Sequence, residues 1–144
     1  MTDEPPRWKL REPDFVQSIA NLEIACRLYQ QGKMDIVQQA GMIQLFEIAW
    51  ELGWKTMRDY LVTRGFTDGI NSPTGAVRTA YKIDLIPNAQ SWIDAANIRH
   101  TLSHEYRPDR ASEALALIAN DYLPLFKNLA GALNDADIAS GDAH

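Results

Sequence analysis

The segment RHTLSHEY, Arg99–Tyr106, brings together an arginine, two histidines and a tyrosine in a chain of 144 residues that has only three histidines. Histidine can transfer a proton to or from the oxygens of an RNA phosphodiester, and arginine can neutralise the charge that develops on the phosphoryl oxygens. Arg99 and His104 therefore supply the minimum chemistry for cleaving RNA without a metal ion. A helix end that carries arginine and histidine is also a common solvated terminus, so both interpretations stay open.

The spacing of His100 and His104, one helical turn, would allow two imidazoles to approach one metal ion. Nearby carboxylates are limited to Glu105 and Asp109, and the chain has one further histidine and a single cysteine, Cys26, in an apolar helical pattern. This donor set is too small for a closed structural site. We therefore expect no metal site, and we expect Cys26 to be a buried apolar residue.

The face of the helix that carries Arg99 is otherwise apolar and includes Trp92. A guanidinium in such a stripe needs a carboxylate, a partner subunit or an anionic ligand. Glu47 lies on the apolar stripe of an earlier predicted helix and is the candidate carboxylate, whereas Glu51 can pair with Lys55 four residues on. Glu47 and Trp92 are thus the predicted structural supports of Arg99.

On an ideal helix, Arg99 and His104 diverge by about 140°. In-line transesterification needs an acid and a base in the same cleft. Two copies that face each other across a symmetric interface would provide both, so the sequence predicts a homodimer through the helix that carries Arg99.

The rest of the chain predicts helices that would position these residues. Apolar residues recur every three or four positions, which is typical of amphipathic helices. The candidate N-caps of the first four helices are Asp14, Asp35, Ser72 and Asn88. A fifth helix is predicted from Arg110, with a bend at Pro124. The predicted fold is an all-α antiparallel bundle of about five helices. Residues 1–12 are predicted as an N-terminal arm, 13–133 as the helical domain and 134–144 as a flexible tail.

The composition limits the partners of the chain. The formal net charge of −5 and the pI near 5.1 argue against a broad attraction to polyanions, so contact with RNA would depend on a local site. No apolar run approaches the roughly 18 residues of a membrane span, and the N-terminus does not resemble an export signal. These features predict a cytoplasmic protein.

Three segments together carry a family pattern: R-x4-H-x-Y at Arg99, His104 and Tyr106, FEIAWELGWKTMRDYL at 46–61, and SPTGAVRTAYKIDLI at 72–86. With the Trp92 that precedes the motif, they cover most of the chain. In these segments the sequence resembles the HEPN superfamily, specifically its nucleotidyltransferase substrate-binding or HepT branch.

The resemblance implies a helical bundle, a homodimer through the motif helices and a separately encoded minimal nucleotidyltransferase as partner. In HepT-like members, the arginine and histidine serve a metal-independent ribonuclease toxin, which the partner neutralises by transferring AMP to the motif tyrosine. The resemblance thus implies that Arg99 binds phosphate, that His104 is the acid or base and that Tyr106 accepts AMP. The partner would use ATP, and the chain itself would need no cofactor.

One position departs from the pattern, because family members commonly have Asn or Asp where this chain has His100. We expect any RNA to contact Arg99, His100, Arg107 and Arg110. Two functions remain: a ribonuclease toxin, for which every motif residue is retained, and a non-catalytic subunit that binds the substrate of a two-component nucleotidyltransferase.

Overall fold

The computed structural model describes the backbone of residues 4–104 and 108–142 and the side chains of residues 4–102 and 110–139. In chain order the helices are α1 (Arg7–Gln30), α2 (Ile36–Thr63), α3 (Pro73–Lys82), α4 (Ala89–His104), α5 (Pro108–Leu117) and α6 (Leu123–Asp142), with a π-helical turn (Ile118–Tyr122) between the last two. No strand occurs among the described residues. The predicted all-α bundle is confirmed.

Three helices begin where local capping chemistry predicts. The side chains of Asp35, Ser72 and Asn88 each accept a hydrogen bond from the backbone N–H three residues further on, at 2.8, 3.1 and 3.3 Å. These contacts satisfy N–H groups that have no partner inside the helix. The predicted starts of α2, α3 and α4 are therefore confirmed.

The first helix begins at Arg7 and not after Asp14, so the prediction of an arm over residues 1–12 is wrong from Arg7 onwards. Pro13 lies inside α1, where proline removes one intrahelical hydrogen bond and costs about 3 kcal/mol. Tertiary contacts offset that cost, because the Trp8 side chain is only 2% exposed. Burial of one indole thus extends the helix through a residue that usually stops it.

A buried carboxylate joins α1 to α2. The Asp59 side chain accepts a hydrogen bond from Arg11 Nε at 2.9 Å and another from Arg58 Nη2 at 3.2 Å. Asp59 is 4% exposed, so the two guanidinium groups replace the water that the carboxylate loses on folding. The N-terminal part of α1 is therefore attached to the bundle by charge as well as by apolar packing.

From Pro108 to Asp142 the chain is one continuous helical segment, which a single π turn interrupts. This π turn, 118–122, ends two residues before Pro124, the predicted bend, where the proline ring cannot accept α-helical geometry without crowding the carbonyl of Asn120. Beyond it, α6 continues to Asp142, so the predicted tail at 134–144 is helical as far as that residue.

The core holds α4 tightly against α2. The Trp92 ring packs 5.3 Å from Phe126, which stacks 5.9 Å from Phe46, measured between ring centroids. A Cβ atom at Gly53 would lie 2.8 Å from the Trp92 ring, so glycine is required where the indole crosses α2. This close approach fixes the position of Arg99, two turns further along α4.

The third helix is fixed at both ends by its loops. A Cβ atom at Gly75 would lie 1.9 Å from the carbonyl oxygen of Gly69, so the first turn of α3 lies directly against the preceding loop. The helix ends in a Schellman arrangement, in which Leu85 N–H donates to the Ala80 carbonyl at 3.0 Å and Asp84 is left-handed with φ of 62°.

Candidate functional site

Arg99 lies over the face of an aromatic ring. Its guanidinium carbon is 4.9 Å from the centroid of the Trp50 ring on α2. The indole is 2% exposed, whereas the Arg99 side chain is 39% exposed. A cation above an indole face is attracted by the ring quadrupole. The buried ring therefore orients the guanidinium while part of the side chain faces solvent.

Among the residues whose side chains are described, the carboxylate that pairs with Arg99 is Glu51, so the prediction of Glu47 is wrong by one helical turn. Arg99 Nη1 lies 3.5 Å from Glu51 Oε2, and Glu51 Oε1 lies 3.1 Å from Lys55 Nζ. The pairing of Glu51 with Lys55 was predicted and is confirmed. Glu51 thus bridges two cations, and the three side chains form a charged row over α2 and α4.

A hydrogen bond ties the two helices together beneath this row. The Trp50 Nε1–H donates to the Trp92 carbonyl oxygen at 3.4 Å, across 42 positions of sequence. Trp92 itself is 1% exposed and lies in the core. Trp50 therefore contacts Arg99 with its ring face and the α4 backbone with its ring nitrogen. Together the two contacts fix the position of Arg99 relative to α2.

An open groove of about 440 Å³ lies between α5 and the last two turns of α4. Its apolar side chains include Ile98 and Leu102 from α4 and Leu117 from α5, and its polar groups include Arg110 and Glu113. The groove has an apolar base with one cation and one anion at its edge, a composition suited to binding an amphipathic molecule.

The remaining predicted residues fall into two groups. His100 is exposed on α4, and Arg110 is exposed beside the groove, and both take part in further interactions. The side chain of His104, and Tyr106 and Arg107 altogether, lie outside the described residues. Their predicted roles as acid or base, AMP acceptor and RNA contact stay predictions.

The chemistry available among the described residues is binding by charge and aromatic surface. No group of three or more His, Cys, Asp or Glu residues in this part of the chain could hold a metal ion. Cys26 is buried, and burial raises the pKa of its thiol to about 11, so it is protonated and unreactive at neutral pH. Among the helices described, none is both long and apolar enough to cross a membrane.

Sequence patterns missed two residues of this site. Trp50 is one of the apolar residues that recur along α2, and nothing in that periodicity indicates that its ring face supports a cation. Glu51 was assigned only to Lys55, because the axial offset of α2 against α4 is set by tertiary packing. The motif FEIAWELGWK contains both residues, so their presence beside Arg99 gives that segment a structural explanation.

The chain is similar to one protein family and to proteins of solved structure. Residues 10–135 match the family described as nucleotidyltransferase substrate binding protein like. A crystal structure of a protein from Thermus thermophilus aligns with 25% identity and a TM-score of 0.73, covering 83% of this chain and 98% of that one. No protein of curated function matches the sequence.

A Haemophilus influenzae protein aligns with 27% identity and a TM-score of 0.66, covering 88% of this chain and 96% of that one. Its structure is described as revealing the fold of a substrate binding domain of a nucleotidyltransferase. Nearly the whole length of each solved relative therefore corresponds to the helical domain seen in this chain.

Proposed function

Because the chain belongs to the family of nucleotidyltransferase substrate binding protein like domains, we propose that it is the substrate-binding subunit of a two-component nucleotidyltransferase. The catalytic subunit would be a separate minimal nucleotidyltransferase, which would use ATP or another nucleoside triphosphate. The family match over residues 10–135 is the observation that carries this proposal. The binding interpretation of the sequence is thereby favoured over the enzymatic one.

The surface that we assign to the acceptor substrate is the row formed by Arg99, Glu51 and Lys55, together with the adjacent groove between α4 and α5. Arg99 is oriented by Trp50 and remains partly exposed, so it can bind an anionic group without a rearrangement of the helix. The groove beside it can bury an apolar part of the same molecule.

The test is reconstitution with the cognate minimal nucleotidyltransferase. The two purified chains should form a complex on size-exclusion chromatography, and the complex should transfer labelled nucleotide to a substrate in a cell extract that the catalytic chain alone leaves unlabelled. Arg99→Ala should keep the complex and reduce labelling, whereas the control Asp14→Asn, at an exposed carboxylate of α1, should keep both the complex and the labelling. Absence of any complex at tens of micromolar would contradict the proposal.

We also propose that two copies associate through α4. Ile98 and Leu102 lie half-buried at the edge of the groove, and a second copy would cover both. Sedimentation at micromolar concentration should show twice the mass of 16.2 kDa. A Leu102→Glu variant should sediment as a single chain, and a wild-type protein that does so would contradict the dimer.

A HepT-like ribonuclease toxin is the second candidate, favoured by the half-exposed guanidinium of Arg99 at the first motif position. Its test is RNA cleavage in chelator by the isolated chain, which His104→Ala should lower at least ~100-fold. Co-expression with the nucleotidyltransferase should add the mass of AMP to a peptide that contains Tyr106. If the wild-type chain shows neither activity nor adduct, the binding subunit alone remains.

A further inference from the structure

Two connected depressions lie between the end of α3 and α6, far from Arg99. The larger, of about 720 Å³, has Tyr81, Asn128 and Gly131 in its lining. The smaller, of about 290 Å³, is bounded by Arg64. Asp84 and Asp135 line both, so the two lobes form one α3–α6 trench with a carboxylate pair at its centre.

The distance from Arg99 makes the trench a separate site. Pro87, in the trench wall, precedes α4, and Arg99 follows it by twelve residues, which is roughly 18 Å along a helix. A ligand in the trench would therefore contact different residues from a ligand on the row of Arg99, Glu51 and Lys55.

Asp84 occupies a backbone conformation that favours glycine. Its φ of 62° lies in the left-handed region, at the position after a helix where glycine is the usual residue. Strained non-glycine residues concentrate at binding sites, where the side chain has a use that offsets the strain. Here Asp84 lines both lobes, as does Asp135 from α6.

The larger lobe offers a surface for a planar base. Tyr81 is 51% exposed and can stack on one face of a ring. Gly131 adds no side chain to the wall of α6, and a Cβ atom built there meets nothing within 4 Å, so this wall is open. The amide of Asn128 is exposed and can both donate to and accept from the edge of a base.

The smaller lobe offers a fixed cation. Arg64 Nη1 donates to the Tyr60 hydroxyl at 3.0 Å, and its guanidinium lies 5.9 Å from the centroid of that ring. A guanidinium has five N–H donors, so one bond to tyrosine orients it without using its capacity for phosphate. Lys127, at the other end of the trench, is already paired with Glu23 at 2.6 Å.

We propose that the α3–α6 trench binds a ribonucleoside monophosphate, with the base beside Tyr81 and Asn128, the ribose hydroxyls on Asp84 and Asp135, and the phosphate on Arg64. The order of aromatic, carboxylate and guanidinium groups along the trench is the order of base, ribose and phosphate in the nucleotide. Acidic side chains are common acceptors for ribose hydroxyls. This site goes beyond the proposed function, because it needs neither the partner chain nor Arg99.

Isothermal titration calorimetry of the isolated chain with AMP, GMP, CMP and UMP tests the site. At least one nucleotide should bind saturably, and its 2′-deoxy form should bind more weakly. Asp84→Gly should lose at least about tenfold in affinity while its melting temperature stays equal or rises, because glycine relieves the left-handed strain. Arg64→Gln should lose the preference for the nucleotide over its nucleoside, and the control Asp14→Asn should bind as wild type.

Three results would overturn the proposal. The first is no saturable binding of any of the four nucleotides at about 10 mM, roughly the weakest affinity worth assigning to a built site. The second is wild-type affinity in Asp84→Gly and Arg64→Gln. The third is loss of binding in Arg99→Ala with retention in Asp84→Gly, which would place the nucleotide on α4. None of these results bears on complex formation with the nucleotidyltransferase.

Discussion

Replacing Gly75 by alanine should destabilise the protein although alanine is the better helix former. A Cβ atom at this position would lie 1.9 Å from the Gly69 carbonyl oxygen and 3.0 Å from the Gly69 carbonyl carbon. Both are backbone atoms, so no side-chain rotation relieves the overlap. The loop or the helix must move by about 1.5 Å to reach ordinary contact near 3.4 Å, a displacement that close-packed interiors resist.

The expected size follows from two opposing terms. Overpacking costs typically about 1–3 kcal/mol, and here the obstacle is backbone, which places the cost at or above the upper end. The gain in helix propensity from glycine to alanine is about 1 kcal/mol. The net loss should be about 2 kcal/mol, which corresponds to roughly 7 °C in melting temperature for a domain of this size.

A matched control lies in the same molecule. Gly41 is inside α2, and a Cβ atom there meets nothing within 4 Å, so only the propensity term acts. Gly41→Ala should therefore stabilise the protein by about 0.5–1 kcal/mol. Urea titrations followed by tryptophan fluorescence measure both variants. Unchanged or increased stability in Gly75→Ala, or an equal loss in Gly41→Ala, would refute the steric argument.

Three further predictions concern charged groups. Burial, and then the charge of Asp137, raise the pKa of Glu12, so the folded state binds this proton more tightly than the unfolded state does. The free energy of unfolding should therefore fall as pH rises above the usual 4.5, and Glu12→Gln should stabilise the protein at pH 7 but not below about pH 4. Asp59→Ala should cost about 3 kcal/mol in a urea titration, because it leaves Arg11 and Arg58 without their buried partner; equal stability would show that the pair is dispensable. A double-mutant cycle of Arg99→Ala and Glu51→Ala should give a coupling of about 0.2–1 kcal/mol, as both side chains are a third or more exposed, and a coupling of zero would remove Glu51 from the site.

Local chemistry is what the sequence predicts well in this protein. Asp35, Ser72 and Asn88 start helices because each cap bonds a backbone N–H only three residues away, an interaction that neighbouring residues alone determine. The bundle follows from the apolar periodicity of the helices that these caps start. The charge row at Arg99 was predicted in kind, because a guanidinium on a largely apolar face needs a carboxylate.

Long-range packing explains what the sequence did not predict. The start of α1 at Arg7 depends on the burial of Trp8 and on the contact of Arg11 with Asp59 across 48 positions, which no local pattern around Pro13 indicates. Arg99 pairs with Glu51 and not with Glu47 because of the axial position of α4 relative to α2. The close approach of the Trp92 ring to Gly53 determines that position. Both differences arise from the relative placement of helices that were themselves predicted.

The π turn at 118–122 sets the rotational phase of the helical segment on either side of it. A π turn accommodates one more residue than an α turn, so α5 is rotated by about 100° relative to the orientation that a continuous α-helix would give it. That rotation turns Arg110 and Leu117 towards α4 while Phe126 and Leu129 stay in the core. A relative that lacks one residue in this turn would still align well in sequence, but its α5 would present a different face to the groove.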